Sequence, residues 1–345
     1  MKTNFLKIIS VAFISILLSS LSLNSQINTN YISEKNKIIS EGLELVYSTD
    51  YDEAIAHFRK IDEIDPECVE ALFFEAFVLE LIMDVYRSQV YDDSFNVVVE
   101  KAVKKGEEAV EKNPTARNYM FLGGVYGVRG VRKGILGSWY GAAMDGRKAN
   151  SNFEKSIKSD SELYDCYYGI GSYHYWKTKK LKRFFGFLIP DNREQGMKEI
   201  HLSIEKGIFA ETPGRNALFR IYIEEKRFED VEKLAELVLK DNPNHLFPLW
   251  YLGVSYIKTE QWQKALGVYQ KIADYLPQIT FHGPEADIET WYYTGLCYYN
   301  MKNNTRAREY FSKIPPYEGK VNKELFYYDD YVKKSKSYLK KIDQN

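Results

Sequence analysis

The chain has 345 residues, of which 45% are hydrophobic and 15% aromatic, so it can form an extended core and lacks the composition of a disordered protein. Its 47 Lys and Arg residues nearly balance its 48 Asp and Glu residues. Because no strong field of one sign results, nucleic acid is not expected as a partner.

Residues 1–25 have the pattern of a signal peptide. Lys2 and Lys7 precede a charge-free apolar run over residues 8–23, and small polar residues follow it up to Gln26. The run is short for a membrane-spanning helix, which favours cleavage near Ser25 or Gln26 over retention. We therefore expect an exported protein, periplasmic or extracellular. The alternative is a protein anchored in the inner membrane by an uncleaved signal.

A pattern of Gly, Ala, aromatic and Pro residues recurs over residues 26–320. Two copies have identical offsets from the first glycine to the other three positions: Gly42, Ala54, Phe58 and Pro66, and Gly253, Ala265, Tyr269 and Pro277. Equivalent small or apolar positions follow one another along the chain: Gly42, Ala76, Gly124, Gly171, Phe219, Gly253 and Gly295. A self-repeating chain of this kind predicts an array of packed units.

The shorter intervals in this series, Gly42 to Ala76 and Phe219 to Gly253, equal the length of a tetratricopeptide repeat, about 34 residues. The chain resembles that family over nearly all of its length after Ser25. The resemblance implies an all-α, right-handed superhelical solenoid of about seven helix-turn-helix hairpins over residues 26–320. Residues 321–345 carry apolar side chains at helical spacing with many Lys residues between them, which predicts a C-terminal capping helix.

The three units over roughly residues 69–211 are each longer than a standard repeat, by an excess close to four helical turns. If the excess is shared equally, each helix gains about two turns, so both helices can lengthen without rotating their apolar faces. We expect long helices over Ala71–Tyr86 and Phe95–Lys112. The segment Lys177–Arg193 contains Gly, Pro and an Asp-Asn pair, which predicts a structured loop.

Six glycines in the third unit are spaced alternately by four and three positions, which places them on one helix face: Gly123, Gly127, Gly130, Gly134, Gly137 and Gly141. We favour close packing against the neighbouring long hairpins, with Trp176 or Phe184, Phe185 and Phe187 on the glycine face. A break into two helices near Gly134 is one alternative. A flat surface for a partner helix or a lipid is another.

Residues 164–243 show a narrower resemblance. The motifs Gly169-Ile170-Gly171, Phe185-Gly186-Phe187 and Asp191-Asn192-Arg193 are similar to an arrangement in uncharacterised bacterial repeat proteins and in the mitochondrial outer-membrane and inclusion-body-clearance repeat family. This resemblance implies an all-helical scaffold linked to lipid or membrane homeostasis. It supplies no catalytic residues.

Motifs for catalysis, cofactors and metals are missing from the sequence. No GxxxxGK[ST], HExxH or CxxC motif occurs, and the five histidines lack metal-ligand spacing. We therefore predict no enzyme, no cofactor and no metal. The three cysteines, Cys68, Cys166 and Cys297, lie near apolar helical stretches and are predicted to be buried core residues.

The first helices of solenoid hairpins line a concave groove, where such proteins bind peptides or proteins. Helical phase places nine side chains there: Tyr168, Tyr175, Trp176, Arg220, Trp250, Tyr251, Tyr292, Tyr293 and Asn300. Tyr, Trp and Arg are typical of binding hot spots, although aromatic rings can equally fill the gaps between hairpins. The leading prediction is a protein- or peptide-binding scaffold of the bacterial cell envelope.

The alternative function is a peripheral membrane or lipid-handling protein acting through the enlarged central hairpins. Basic and aromatic residues beside each other suit an anionic lipid surface or a partner surface, here Lys182, Arg183, Phe184, Phe185 and Phe187. The other interpretation is that the apolar side chains pack on the glycine-rich hairpin and the cations are solvated.

Overall fold

The computed structural model of the protein describes residues 32–188, 190–279, 281–321 and 327–344. These residues form α-helices joined by turns and three short 3-10 segments, and no β-strand occurs among them. The predicted signal peptide, residues 1–25, lies outside the described residues.

The first compact unit ends at Glu67 and contains helices α1 (32–47) and α2 (Tyr51–Ile64). Gly42 of α1 packs directly on the Phe58 ring of α2, so a Cβ on this glycine would overlap the ring. An ion pair of 3.2 Å between Lys35 Nζ and Asp65 Oδ2 connects the beginning of α1 to the residue that follows α2. The described residues of this unit, 32–67, therefore form one helix-turn-helix hairpin.

The second unit, Cys68–Asn345, contains thirteen further helices within the described residues. They are α3 (Glu70–Val85), α4 (Asp92–Lys112), α5 (Ala116–Ile135), α6 (Trp139–Ser159), α7 (Cys166–Phe185), α8 (Arg193–Lys206), α9 (Glu211–Glu224), α10 (Phe228–Asp241), α11 (Leu246–Lys258), α12 (Trp262–Tyr275), α13 (Pro284–Asn300), α14 (Asn304–Phe311) and α15 (Tyr327–Asp343). Each helix packs on its neighbours in chain order. The predicted fold class, an all-α solenoid of helix-turn-helix hairpins, is confirmed.

Both helices of the central α5–α6 hairpin are extended, whereas in the α7–α8 hairpin only α7, with 20 residues, is long and α8 has 14. Helices α5 and α6 have 20 and 21 residues, whereas α11 and α12 have 13 and 14. In the long α5–α6 hairpin Gly123 contacts the ring of Phe153, and in the short α11–α12 hairpin Gly253 contacts the ring of Tyr269. Fewer residues separate the glycine from its ring in the short hairpin than in the long one. The predicted lengthening of both helices is confirmed here, and α3 and α4 lie close to the predicted bounds.

The glycine stripe is divided between two helices. Helix α5 ends at Ile135, and Gly137 follows in the left-handed region with a φ of 78°. The interpretation with a break near Gly134 is therefore correct. Ideal Cβ atoms at Gly130 and Gly134 would lie 3.3 and 3.7 Å from the Cβ atoms of Asp145 and Ala142. These two glycines therefore pack on α6 of the same hairpin, and the expectation that they pack against a neighbouring hairpin is wrong. Gly127 has open space at its Cβ position.

The predicted loop over Lys177–Arg193 is wrong for its first half. Helix α7 continues to Phe185, and Gly186 follows with a φ of 55°. The residues before Gly186 are mostly Lys, Arg and Leu, which favour helix, and the glycine and proline that end it come only afterwards. The described residues of the loop are therefore 186–188 and 190–192.

The C-terminal helix α15 buries Tyr328, Val332 and Ile342 in a cluster with Ile288 and Tyr292 of α13. All three cysteines are buried, as predicted. In the part of the chain that the structure describes, no helix combines the length and hydropathy needed to cross a bilayer.

Candidate functional site

The nine predicted groove residues lie on four successive first helices of hairpins: α7, α9, α11 and α13. We call the side of these helices that carries them the inner face. Tyr175, Trp250 and Tyr292 are buried, with Trp250 only 1% exposed. The other six side chains are half-buried: Tyr168, Trp176, Arg220, Tyr251, Tyr293 and Asn300. Burial therefore separates the nine residues into two groups.

A segment of the same chain lies against this inner face. It is the C-terminal end of the long helix α3 with the turn after it, Asp84–Ser88, which we call the inner segment. The indole Nε1 of Trp250 donates a hydrogen bond of 2.9 Å to the main-chain carbonyl of Val85. The main-chain N–H of Gly283 donates to the carbonyl of Tyr86 at 3.4 Å. Main-chain groups of the inner segment are thus recognised from α11 and from the residue before α13.

Two ion pairs fix the side chains of the inner segment. Asp84 Oδ2 lies 2.5 Å from Arg220 Nη2 of α9, and Arg87 Nε lies 3.2 Å from Glu289 Oε2 of α13. The Arg87 guanidinium also lies 5.0 Å from the centre of the Trp250 ring, within the range of a cation–π interaction. Asp84 in the last turn of α3 and Arg87 just after the helix are therefore matched by opposite charges on two different hairpins.

Glu80, one turn before Asp84 on α3, is 9% exposed, and its Oε1 atom has no hydrogen-bond partner among the described residues. Burial and the nearby Asp84 carboxylate raise the pKa of Glu80 to about 7, although the Arg220 and Arg132 guanidinium groups act in the opposite direction. A carboxylic acid of this kind binds a proton in the folded state under conditions where an exposed Glu is ionised.

Aromatic rings of the inner face pack between hairpins. Tyr251 stacks on Phe219 of the preceding hairpin with ring centres 5.7 Å apart. Tyr293 stacks on Tyr269 at 5.0 Å, and Tyr292 stacks on Tyr331 of α15 at 4.6 Å. These rings therefore fill the spaces between successive helices, which is the second of the two roles considered from the sequence.

The carboxylate of Glu225, the residue after α9, links the middle of α7 to the beginning of α8. Glu225 Oε1 accepts a hydrogen bond of 2.7 Å from the Tyr175 hydroxyl and lies 2.9 Å from Arg193 Nη1. Lys182 Nζ pairs with Asp191 at 2.8 Å. Arg183 is exposed, and the side chains of Phe184, Phe185 and Phe187 lie outside the described part of the chain.

Sequence reasoning did not nominate Glu80, Asp84, Arg87, Gly283 or Glu289. Helix α3 has 16 residues, fewer than the 21 of α4 and the 20 of α5, so its length gives no signal of the extension into the inner segment. The side-chain partners of this extension are far away in the chain, Arg220 for Asp84 and Glu289 for Arg87, and no local periodicity indicates them.

Residues 249–278 and 289–315 match the family model described as tetratricopeptide repeat. These ranges include most of α11–α12 and of α13–α14, so the prediction of tetratricopeptide repeats is confirmed. Among curated protein sequences, none matches the chain.

Several solved structures are similar to this chain. A chain of the Cut9–Hcn1 hetero-tetramer of the APC/C has 15% identity and a TM-score of 0.49, with 76% of this chain and 42% of that chain covered. A tetratricopeptide repeat protein of Parabacteroides merdae has 13% identity and a TM-score of 0.40, with coverage of 90% and 99%. YrrB, described as having an unusual peptide-binding site, has 19% identity and a TM-score of 0.36, with coverage of 65% and 95%. This chain thus spans less than half of the Cut9–Hcn1 chain.

Proposed function

We propose that this protein is a non-enzymatic protein- or peptide-binding scaffold of the bacterial cell envelope, exported by the signal peptide predicted at its N-terminus. Tetratricopeptide repeats support a role as a protein-interaction scaffold. The observation that carries the proposal is that the inner face already binds a polypeptide segment. Trp250 and Gly283 donate to main-chain carbonyls, and Arg220 pairs with a carboxylate of the same segment.

The half-buried residues of the inner face are the proposed contacts for a partner. Trp176 lies edge-on to Tyr175 with ring centres 5.0 Å apart, and Asn300 uses its amide to donate to the Leu296 carbonyl at 2.9 Å. Both side chains retain exposed surface. Tyr175, Trp250 and Tyr292 instead support the helices around them, because their side chains are buried.

Site-specific photo-crosslinking tests this assignment. A photoreactive phenylalanine analogue is placed at Trp176 or Asn300 in the full chain, and at the exposed Leu237 of α10 and Ile208 as controls. We expect both inner-face positions to form one discrete adduct with the same protein in cells. No adduct from either inner-face position, or the same adduct from Leu237, would contradict the proposal.

Export is tested by the mass of the protein recovered from fractionated cells. We expect the mature chain to begin near Gln26 and to be found in the periplasmic or extracellular fraction. An intact N-terminus in the membrane fraction would instead favour the uncleaved anchor. An intact chain in the cytoplasm would contradict an envelope role.

A further inference from the structure

The end of the α5–α6 hairpin exposes two large aromatic side chains. Trp139 and Tyr140, the first residues of α6, are 56% and 81% exposed, and Met144, one turn later, is exposed as well. Among the side chains that the structure describes, every other Phe, Tyr and Trp is buried or half-buried. Aromatic rings bury large areas when a partner is present, so two adjacent exposed rings mark an interaction surface.

One cationic side chain near the end of α7 adjoins these rings, and two more lie one helical turn from it along α7. Lys180 Nζ lies 4.0 Å from the centre of the Trp139 ring, which joins the end of α7 to the beginning of α6. Lys177 and Arg183, on either side of Lys180 in the chain, are exposed. Within the described residues, no carboxylate lies at ion-pair distance from Lys177, Lys180 or Arg183. We call Trp139, Tyr140, Met144, Lys180 and Arg183 the tip patch.

We propose that the tip patch docks this protein on the surface of an anionic phospholipid bilayer. Trp and Tyr side chains prefer the bilayer interface, where an apolar ring and a polar edge are both accommodated. Lys and Arg near the surface add attraction to anionic headgroups. The chain as a whole carries a formal charge of −1, so this attraction comes from the local arrangement of cations rather than from the net charge.

The geometry favours a membrane over a protein groove. The rings lie at a hairpin end, directly after the turn at Gly137, and Tyr140 is 81% exposed. Side chains at such an end can enter a flat interface together, without a matching cavity in the partner. Lys180 lies beside the Trp139 ring, where it can contact the headgroups, and Arg183 follows one helical turn later on α7. None of the five residues of the tip patch is among the nine predicted for the inner face, so substitutions in the tip patch leave those nine residues unchanged.

Vesicle sedimentation tests the proposal with the full chain. The protein is mixed with vesicles of phosphatidylcholine, with or without phosphatidylglycerol, and the sedimented fraction gives a partition constant. We expect sedimentation with the anionic vesicles and a loss of about tenfold or more for the double variant W139A/Y140A. For K180Q/R183Q we expect a loss of about 25-fold, since each cation near an anionic surface contributes about fivefold.

Matched variants on α10 control for nonspecific effects. Leu237→Ala removes an exposed apolar side chain, and K233Q/K240Q removes two exposed cations of the same helix. We expect these variants to sediment like the unaltered protein. Far-UV circular dichroism confirms that each variant is folded, and W139F, which keeps an aromatic ring, should retain most of the binding.

Three results would overturn the proposal. The first is no sedimentation of the unaltered protein with anionic vesicles, which would leave an acidic protein as the occupant of the tip patch. The second is unchanged sedimentation of folded W139A/Y140A. The third is equal sedimentation with vesicles that contain phosphatidylglycerol and with vesicles of phosphatidylcholine alone, since the cations would then contribute nothing to binding.

Discussion

At the scale of single residues, the glycine of the repeat is needed because an aromatic ring of the second helix occupies the space of its side chain. An ideal Cβ at Gly253 would lie 2.8 Å from the Tyr269 ring, and one at Gly295 would lie 2.8 Å from the Phe311 ring. The glycine and the aromatic residue of the sequence pattern therefore contact each other where the two helices of a hairpin cross.

We predict that Gly253→Ala lowers the free energy of unfolding by about 1–3 kcal/mol, because the added methyl group overpacks the crossing. Gly267→Ala is the matched control, since Gly267 lies inside α12 with open space around its Cβ position. This change should raise stability by about 0.5–1 kcal/mol through helix propensity. Urea unfolding measures both. Equal effects of the two substitutions would contradict the steric explanation.

Glu80 makes stability depend on pH in an unusual direction. Its raised pKa means that the folded state binds more protons than the unfolded chain between pH 4.5 and about 7. The contribution of Glu80 to the free energy of unfolding therefore decreases as the pH rises through that range. Glu80→Gln imitates the protonated form, so the variant should gain stability relative to the unaltered protein at pH 8, by at most about 3 kcal/mol.

Urea unfolding of Glu80→Gln at pH 5 and pH 8 measures this effect. The exposed Glu108→Gln on α4 serves as the control and should show no such difference between the two pH values. If Glu80→Gln changed stability equally at both pH values, the raised pKa could not be its cause.

At the scale of elements, helices could be predicted from the sequence where periodicity and helix-ending residues agree. The long helix around Ala71–Tyr86 and its return were predicted closely because apolar spacing marks them. The loop predicted over Lys177–Arg193 begins too early, because Gly186 and Pro190 indicate a loop whereas the Lys, Arg and Leu residues before them favour helix. The inner segment could not be predicted, because its contacts are with residues of α9, α11 and α13 that are distant in the chain.

The contact of the inner segment with α11 can be measured by Trp250→Phe. This substitution removes the indole donor and leaves the buried Val85 carbonyl without that hydrogen bond. We predict a loss of about 1–3 kcal/mol in the free energy of unfolding. Trp262→Phe at the beginning of α12, where the side chain is half-buried, should cost less than about 0.5 kcal/mol. Equal losses would show that the hydrogen bond contributes nothing specific.

At the scale of the whole molecule, the two compact units differ in their helices. The described residues of the first unit form a single hairpin, whereas the second unit contains α15, which buries Tyr328 and Val332 against the hairpin before it. The terminal helix of an open array has to shield the apolar face that no further repeat covers.

We predict that truncation after Val321 uncovers Ile288 and Tyr292, lowers the melting temperature and causes self-association. Truncation after Asp343 removes only the last two residues and should leave both properties unchanged. Thermal unfolding followed by circular dichroism, and light scattering at several concentrations, measure the effects. A monomeric truncated chain with an unchanged melting temperature would contradict a shielding role for α15.

The ion pairs of the inner segment also bear on how the second unit folds and unfolds. Hairpins of a simple array contact only their neighbours, so they can unfold one after another from either end. Here Asp84 of α3 is tied to Arg220 of α9, and Arg87 to Glu289 of α13, across several intervening hairpins. Closing such long loops slows folding, and the closed loops couple early hairpins to late ones. The second unit should therefore unfold in one cooperative transition rather than hairpin by hairpin.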